Sequence, residues 1–401
     1  MSVWDRLVGQ DETIATLQAA ARAGAVVAAG GAVEAGALTH AWLFTGPPGS
    51  GRSVAARAFA AALQCDHPES PGCGECAACR TVLHGTHPDV KLIATDQLSL
   101  GVDEMRELVR RAASKPVLGR WAVVVVEDAD RLTERASNVL LKFVEEPPAQ
   151  TIFMLCAPST HPDDISVTIR SRCRHLTLRT PPADAVAAVL REDGLDSQTA
   201  TWAAAAGQGH IGRSRRLARD AAARDSRASV LAIPTSLTSL RNCLAAADLL
   251  ISSAKAEAEA VSAELDGAET ESLQVALGAG GTGKGATAAA RGTAGQLKAL
   301  ADRQKARQTR TNRDALDRSL VDLAAFYRDV LLTQSRAPVA SAHPDFAEQV
   351  RTVADRVPQP GVLQRMDAIL ACRTALEQNV KPQIAVEALM SSLRLPANVG
   401  G

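Results

Sequence analysis

The chain has 401 residues, enough for two or three domains that each bury a core of their own. Lysine plus arginine equals aspartate plus glutamate at 44 each, so no global field draws it onto nucleic acid, and aromatics, at 3%, are too few for a base-stacking surface. No apolar run approaches the ~20 residues of a membrane span, and MSVWDRLVGQ is not a signal peptide. The expectation is a cytoplasmic protein without membrane contact, whose eight cysteines are reduced or metal-bound.

From Val3 to about Arg179 short apolar runs alternate with helical ones, which predicts an α/β domain with a mostly parallel sheet over residues 1–179. The strands are expected at Ala41–Thr45, Val90–Ala94, Trp121–Val126, Thr151–Cys156 and His175–Leu178, with helices such as Val102–Ser114 and Thr133–Glu145 between them. The first strand runs into GPPGSGRS, Gly46 to Ser53, and then into VAARAFAAAL, a strong helix former. Strand, glycine loop and helix in that order form a phosphate-binding loop, in which backbone N–H groups wrap the phosphates at a helix N-terminus. Gly46, Gly49, Gly51 and Ser53 fit the pattern, but Arg52 stands where lysine is expected. A planar fork in place of a point charge is not a conservative exchange, so binding of ATP or ADP is doubtful here, and Mg²⁺ is expected only with a bound nucleotide. A second match, Gly278–Gly285, lacks the terminal hydroxyl and a preceding strand; the surrounding 267–295 reads as flexible low-complexity chain.

Cys65, Cys73, Cys76 and Cys79 follow in C-x7-C-x2-C-x2-C spacing, which lets short turns converge four thiolates on one tetrahedral zinc; His67 or His84 could substitute for one of them. Four protein ligands leave no open position, so the metal is structural. Val123–Val126 then leads into Glu127 and Asp128, the pattern of a strand ending in carboxylates that hold Mg²⁺ and orient water. Farther on, Ser171, Arg172 and Cys173 form an SRC triplet soon after the fourth strand. Pro181-Pro182 closes this unit; a small helical segment is expected over 180–223, and amphipathic helices over 224–401. Within these, Gln296–Arg318 carries seven basic residues against three aspartates, the composition of a solvated helix face or, failing that, a DNA contact.

Taken together, these residues resemble the AAA+ clamp-loader family of bacterial DNA polymerase III. The matching pieces are LVGQ (Leu7–Gln10), HAWLFTGPPGSGRS, the four cysteines, HPD (His87–Asp89), GVDEMREL (Gly101–Leu108), SNVLLKFVEEPP (Ser137–Pro148) and SRC, in family order over about the first 215 residues. Near the C-terminus NVKPQIAVEALM (Asn379–Met390) is similar to the closing helix of the family's collar. The resemblance implies a RecA-like parallel sheet with a zinc module, a small helical lid and an all-α collar.

The departures sort the chain within the family. Its motor subunits carry lysine in the loop, Asp before Glu at the acidic pair, and an arginine in a G-S-x-R lid motif. Here those positions hold Arg52, Glu127-Asp128 and Gly212, the last flanked by Arg213. A degenerate site beside a retained SRC arginine is similar to the delta-prime type. That implies a non-motor member, with little or no ATPase of its own, in a five-membered ring with tau/gamma and delta subunits. Arg172, flanked by Ser171 and Cys173, would reach the ATP of a neighbour, and the ring would load the sliding clamp onto primed DNA. Two alternatives differ in class: an ATP-hydrolysing tau/gamma-like motor, which steady-state turnover of the chain alone would reveal, and a zinc-bearing DNA-binding protein, which the neutral charge disfavours.

Overall fold

The computed structural model describes residues 2–95, 98–112, 115–276 and 286–395. Two compact units divide the chain, Met1–Arg215 and Arg216–Gly401.

In the first unit, α1 (Asp11–Ala28) precedes β1 (Ala41–Thr45), α2 (Arg52–Gln64), α3 (Ala77–Leu83), β2 (Val90–Ile93), α4 (Val102–Ala112), β3 (Ala122–Val126), α5 (Glu134–Glu145), β4 (Thr151–Ala157), the short α6 (Val167–Arg170), β5 (Arg174–Thr177), α7 (Ala183–Glu192) and α8 (Ser197–Gly207). The five strands are parallel in the order β2-β3-β4-β1-β5. β1, β3 and β4 are buried along their whole length, as continuous apolar runs in a sheet covered on both faces must be. Alternate residues serve alternate layers. Trp42, Phe44, Val123, Val125, Ile152 and Met154 pack with Leu17 of α1 and Phe59 of α2. Leu43, Val124, Val126, Phe153 and Leu155 pack instead with Met105, Leu140 and Ile169 of α4, α5 and α6. The registers set Leu43 and Val126 level with Leu155, so the chain leaves β1, β3 and β4 along one edge of the sheet. Ligands of open parallel sheets lie beyond such carboxyl ends.

A single carboxylate shapes the turn before β3. Asp89, buried, accepts from the backbone N–H of Val117 (2.7 Å), Leu118 (2.9 Å) and Gly119 (2.6 Å). Burial pushes its carboxyl up, but these three N–H groups and the nearby His87 outweigh that and hold it below the usual range. Asp89→Ala strands three backbone donors and is expected to cost about 2–4 kcal/mol, read as a lower urea midpoint for the first unit.

Helix α9 (Ile211–Arg219) spans the boundary between the units. The segment 180–223, expected as a lid by itself, is thereby divided: α7 and α8 fall in the first unit and α10 (Ala221–Ser236) in the second. The second unit continues with α11 (Leu240–Ala276), α12 (Ala286–Ser335), α13 (Ala347–Arg356), α14 (Gln359–Glu377) and α15 (Pro382–Ser392) around one core that includes Leu231, Leu250, Leu320, Phe326, Val353, Ile369 and Leu389. Of the stretch 267–295, expected to be flexible, residues 267–276 complete α11 and 286–295 begin α12; the Gly278–Gly285 motif lies outside the described residues. Part of the basic run on α12 is neutralised within the unit. Arg307 pairs with Asp266 and Glu269, Arg318 with Glu257, Arg310 with Asp314, and Arg313 donates to Asn379. Lys298, Arg303 and Lys305 are exposed.

A buried polar knot ties α10 to the chain after α12. Arg227 donates to Asp345 at 2.6 and 3.2 Å and to His343 Nδ1 at 2.9 Å, leaving His343 Nε2 to donate to the Asp322 carbonyl at 3.2 Å. Burial, with the Arg227 charge adding to it, pushes the His343 imidazole below its ordinary range, while Asp322 and Asp329 oppose. The unfolded chain therefore binds this proton first. Stability from His343 is in full above the ordinary imidazole pKa and is lost as pH falls through the lower folded value. Arg227→Ala is expected to cost the second unit about 3–5 kcal/mol, because Asp345 and His343 lose the donor between them; thermal melts at pH 5 and 8 check both statements.

Candidate functional site

The loop Gly46–Ser53 leaves β1 at the carboxyl edge of the sheet and opens α2. Gly46 (φ 154°), Gly49 (φ 86°) and Gly51 (φ 93°) take backbone angles that other residues avoid. A Cβ on Gly46 would lie 2.5 Å from the Leu178 carbonyl, and one on Gly49 would lie 2.6 Å from Cβ of His210, at the start of α9. The loop is thus held tightly between the sheet and α9. Gln10 braces it from behind: its amide donates to the carbonyls of Ser50 (3.4 Å) and Arg179 (2.7 Å) and accepts from the Arg179 N–H (3.2 Å).

The structure brings the predicted loop and the acidic pair to one edge, but the carboxylates are engaged. Arg57, one and a half turns into α2, places Nε 2.7 Å and Nη2 2.6 Å from the same Glu127 oxygen, and the Glu127 side chain is only 13% exposed. Asp128 accepts from the Thr95 N–H at 3.3 Å and faces Arg131. Asp130, whose carboxyl burial pushes up, lies within the field of Arg131 and Arg52. On the loop side, Ser50 Oγ and Arg52 Nη1 are buried polar atoms without a hydrogen-bond partner. Gly212 sits on α9 without a side chain to reach any of these groups, and the Arg213 N–H is spent on His210 Nδ1 at 3.3 Å.

The SRC triplet follows α6 and is separate from that cluster. Ser166 caps the helix through the Ile169 N–H, and Ser171 Oγ donates to the Thr168 carbonyl. Arg172 is 40% exposed at its side chain; it donates to the Thr168 carbonyl (3.0 Å) and pairs through Nε with Glu145 at 2.7 Å. Cys173 packs on the core, and burial pushes its thiol up to about 12, so it is not a nucleophile.

The four cysteines converge. Their sulfurs all lie within 4.8 Å of one another, close to the ~3.8 Å edge of a tetrahedron with Zn–S bonds of ~2.3 Å. Backbone N–H groups of Glu75 and Cys76 point at Cys73 Sγ (3.4 and 3.3 Å), and that of Cys79 points at Cys76 Sγ (3.4 Å). Against the cost of burial, the Cys76 and Glu75 N–H groups with the neighbouring Cys76 and Cys65 thiols bring the Cys73 thiol down to about 7, whereas burial pushes the Cys76 and Cys79 thiols up. This donor set suits a thiolate-bound zinc. The N-terminal segment closes over the module: Val3 N–H donates to the Gly72 carbonyl at 3.0 Å and Trp4 Nε1 to the Pro71 carbonyl at 3.0 Å.

Residues 26–182, which contain the loop, the cysteines, the acidic turn and the SRC triplet, match the family described as DNA polymerase III, delta subunit. That part of the chain is similar to subunits of the DNA polymerase III clamp loader. Among curated relatives, the delta' subunit of Escherichia coli is 38% identical over 174 residues, which is 43% of this chain and 52% of that one. The gamma/tau subunit of Mycobacterium tuberculosis is also 38% identical, over 161 residues, 40% of this chain and 28% of that protein. The matches thus span about half or less of the relatives' own length. A solved structure, a DNA polymerase III gamma subunit-related protein from Thermotoga maritima, aligns over 89% of this chain and 94% of its own at 14% identity and a TM-score of 0.38, an overlap too loose to carry an argument.

Sequence reasoning missed Arg57, Gln10 and Asp89 as organisers of this region. A second arginine in the alanine-rich α2, after Arg52, was a signal for the first; the family pieces LVGQ and HPD contained the other two without revealing their partners.

Proposed function

We propose that this chain is a delta-prime-type clamp-loader member: a cytoplasmic, non-motor subunit that donates Arg172 to ATP bound by a neighbour. It would sit with tau/gamma and delta subunits in a five-membered ring that loads the sliding clamp onto primed DNA. The observation that carries this reading is the Arg57–Glu127 pair. An ATPase needs its acidic turn free to hold Mg²⁺ and orient water, and here the first carboxylate already faces a guanidinium. Arg172 supports it from the other side, since a half-exposed guanidinium held by one surface carboxylate and by the Thr168 carbonyl and Ser171 hydroxyl of its own turn is available to a partner. Zinc, bound by Cys65, Cys73, Cys76 and Cys79, braces the module beside α2 and plays no chemical part. The test is reassembly of the complex with Arg172→Ala.

The identity to gamma/tau relatives favours a second reading, an active motor. A motor must turn over ATP by itself. We expect ATPase of the purified chain, with or without primed DNA, to stay at the blank; robust turnover would overturn the non-motor reading.

A further inference from the structure

We propose that the far halves of α11 and α12 are a docking arm for a second copy of this chain, the two hairpins closing into one antiparallel four-helix bundle. The core of the second unit takes in α11 as far as Ala254 and α12 from Ala315 onward. Past those residues the two helices hold each other. Gln304 donates to the Asp266 carbonyl (3.0 Å) and to Thr270 Oγ1 (3.2 Å), and Arg307 Nη1 donates to Glu269 at 3.0 Å. At ~1.5 Å per residue, the stretch 255–276 of α11 is about 33 Å long.

Val261, Leu265, Ala268 and Val275 follow one another on that stretch at steps of four, three and seven, the spacing of a helix seam. All four are exposed, with Val261 at 55%, Leu265 at 48% and Val275 at 71%. At ~100° per residue the stripe lies about a third of a turn round α11 from Asp266 and Glu269, which bond to α12. The exposed Ala299 and Arg303 lie about a quarter-turn round α12 from Gln304 and Arg307, in the same sense. In an antiparallel pair that puts both sets on one flank. A second seam beside the first is what each helix of a four-helix bundle needs, because it touches two neighbours.

Charge identifies the occupant. Residues 255–276 hold six acidic side chains and one lysine, whereas residues 286–314 hold seven basic and two acidic. A two-fold axis along the hairpin sets α11 of one copy on α12 of the other, and does so twice, so acid meets base at both contacts. Alanine at 299 lets the helices approach, and the Arg303 stem covers apolar surface while its head seeks a carboxylate. Because Gln304 stands level with Asp266 and Thr270, the exposed Arg303 and Glu271 share a height, and the axis brings Glu271 of each copy toward Arg303 of the other. A flank of about 30 by 20 Å covers roughly 600 Å² per partner, which reaches the lower end of stable interfaces at about 1,200 Å² in total.

Sedimentation equilibrium of the full-length, zinc-loaded chain over about 1–100 µM is expected to show a monomer–dimer equilibrium with a Kd on the order of 10 µM. Leu265→Asp should weaken it at least ~tenfold, with helicity by circular dichroism and zinc content unchanged, and Val261→Asp carries the test should the first variant misfold. Glu271→Arg and Arg303→Glu should each weaken association alone. Mixed one to one they should form a heterodimer, since both contacts then join opposite charges. A wild type that stays monomeric, wild-type association by a folded Leu265→Asp or Val261→Asp chain, or a mixture of the two charge variants that stays monomeric would each overturn the proposal.

Discussion

Replacing Arg172 with alanine is expected to lower ATP turnover of the reassembled clamp loader by about 10³-fold at the site it serves, with the ring still assembling. A loss of that size is about 4 kcal/mol of transition-state stabilisation. The tether that holds Arg172 in the isolated chain is far weaker. Its bond to Glu145 joins two side chains each 40% exposed, and such surface pairs are worth about 1 kcal/mol or less. On the trans reading, exchanging Glu145 and the Thr168 and Ser171 oxygens for a neighbour's phosphate would cost little against that gain. Two controls separate this from a packing role. Arg172→Lys keeps the charge but loses the planar fork, and should recover little activity. Glu145→Gln removes only the tether and should leave turnover within about threefold of wild type. Unchanged ATPase and clamp loading in the Arg172→Ala complex would show that the arginine does not act in trans.

Metal removal is the second large effect. Metal analysis should find one zinc per chain, and Cys79→Ser should remove it. Cys65 and Cys79 are fully buried in the same core as Phe59, Trp4 and Val82, so stripping the ion opens that core and does more than loosen a surface loop. Zinc contributes about 10–16 kcal/mol to the folding of a small finger; in a pre-built core a fraction of that is at stake. We expect the melting temperature of the first unit to fall by roughly 10–20 °C, restored for the wild type by adding zinc back. A folded, metal-free wild-type chain with an unchanged melt would refute the site.

The parallel sheet was legible because each strand is a short apolar run between turn signals, and a sheet covered on both faces demands such runs. The glycine loop and the four cysteines were legible because their chemistry depends on spacing along the chain. Partnerships across the fold were not. Nothing in the order of residues says that Arg57 faces Glu127, since that depends on how α2 lies against β3. Composition also misled in the second unit. Glycine, alanine and threonine near residue 270 suggested a loop, yet the chain is helical there, where Arg307 binds Asp266 and Glu269 across the pair α11 and α12. That same pairing consumes charge which the sequence presented as a basic run.

The N-terminal segment has a mechanical role beyond covering the cysteines. Trp4 is anchored on the turn between the first two cysteines, and six residues later Gln10 grips the carbonyls of Ser50 and Arg179. A short strut therefore connects the metal module to the phosphate loop. Loss of zinc would slacken the strut at one end and unseat the loop at the other, and the Trp4 indole, whose N–H would trade a carbonyl for water, is a native fluorescent gauge of that strain.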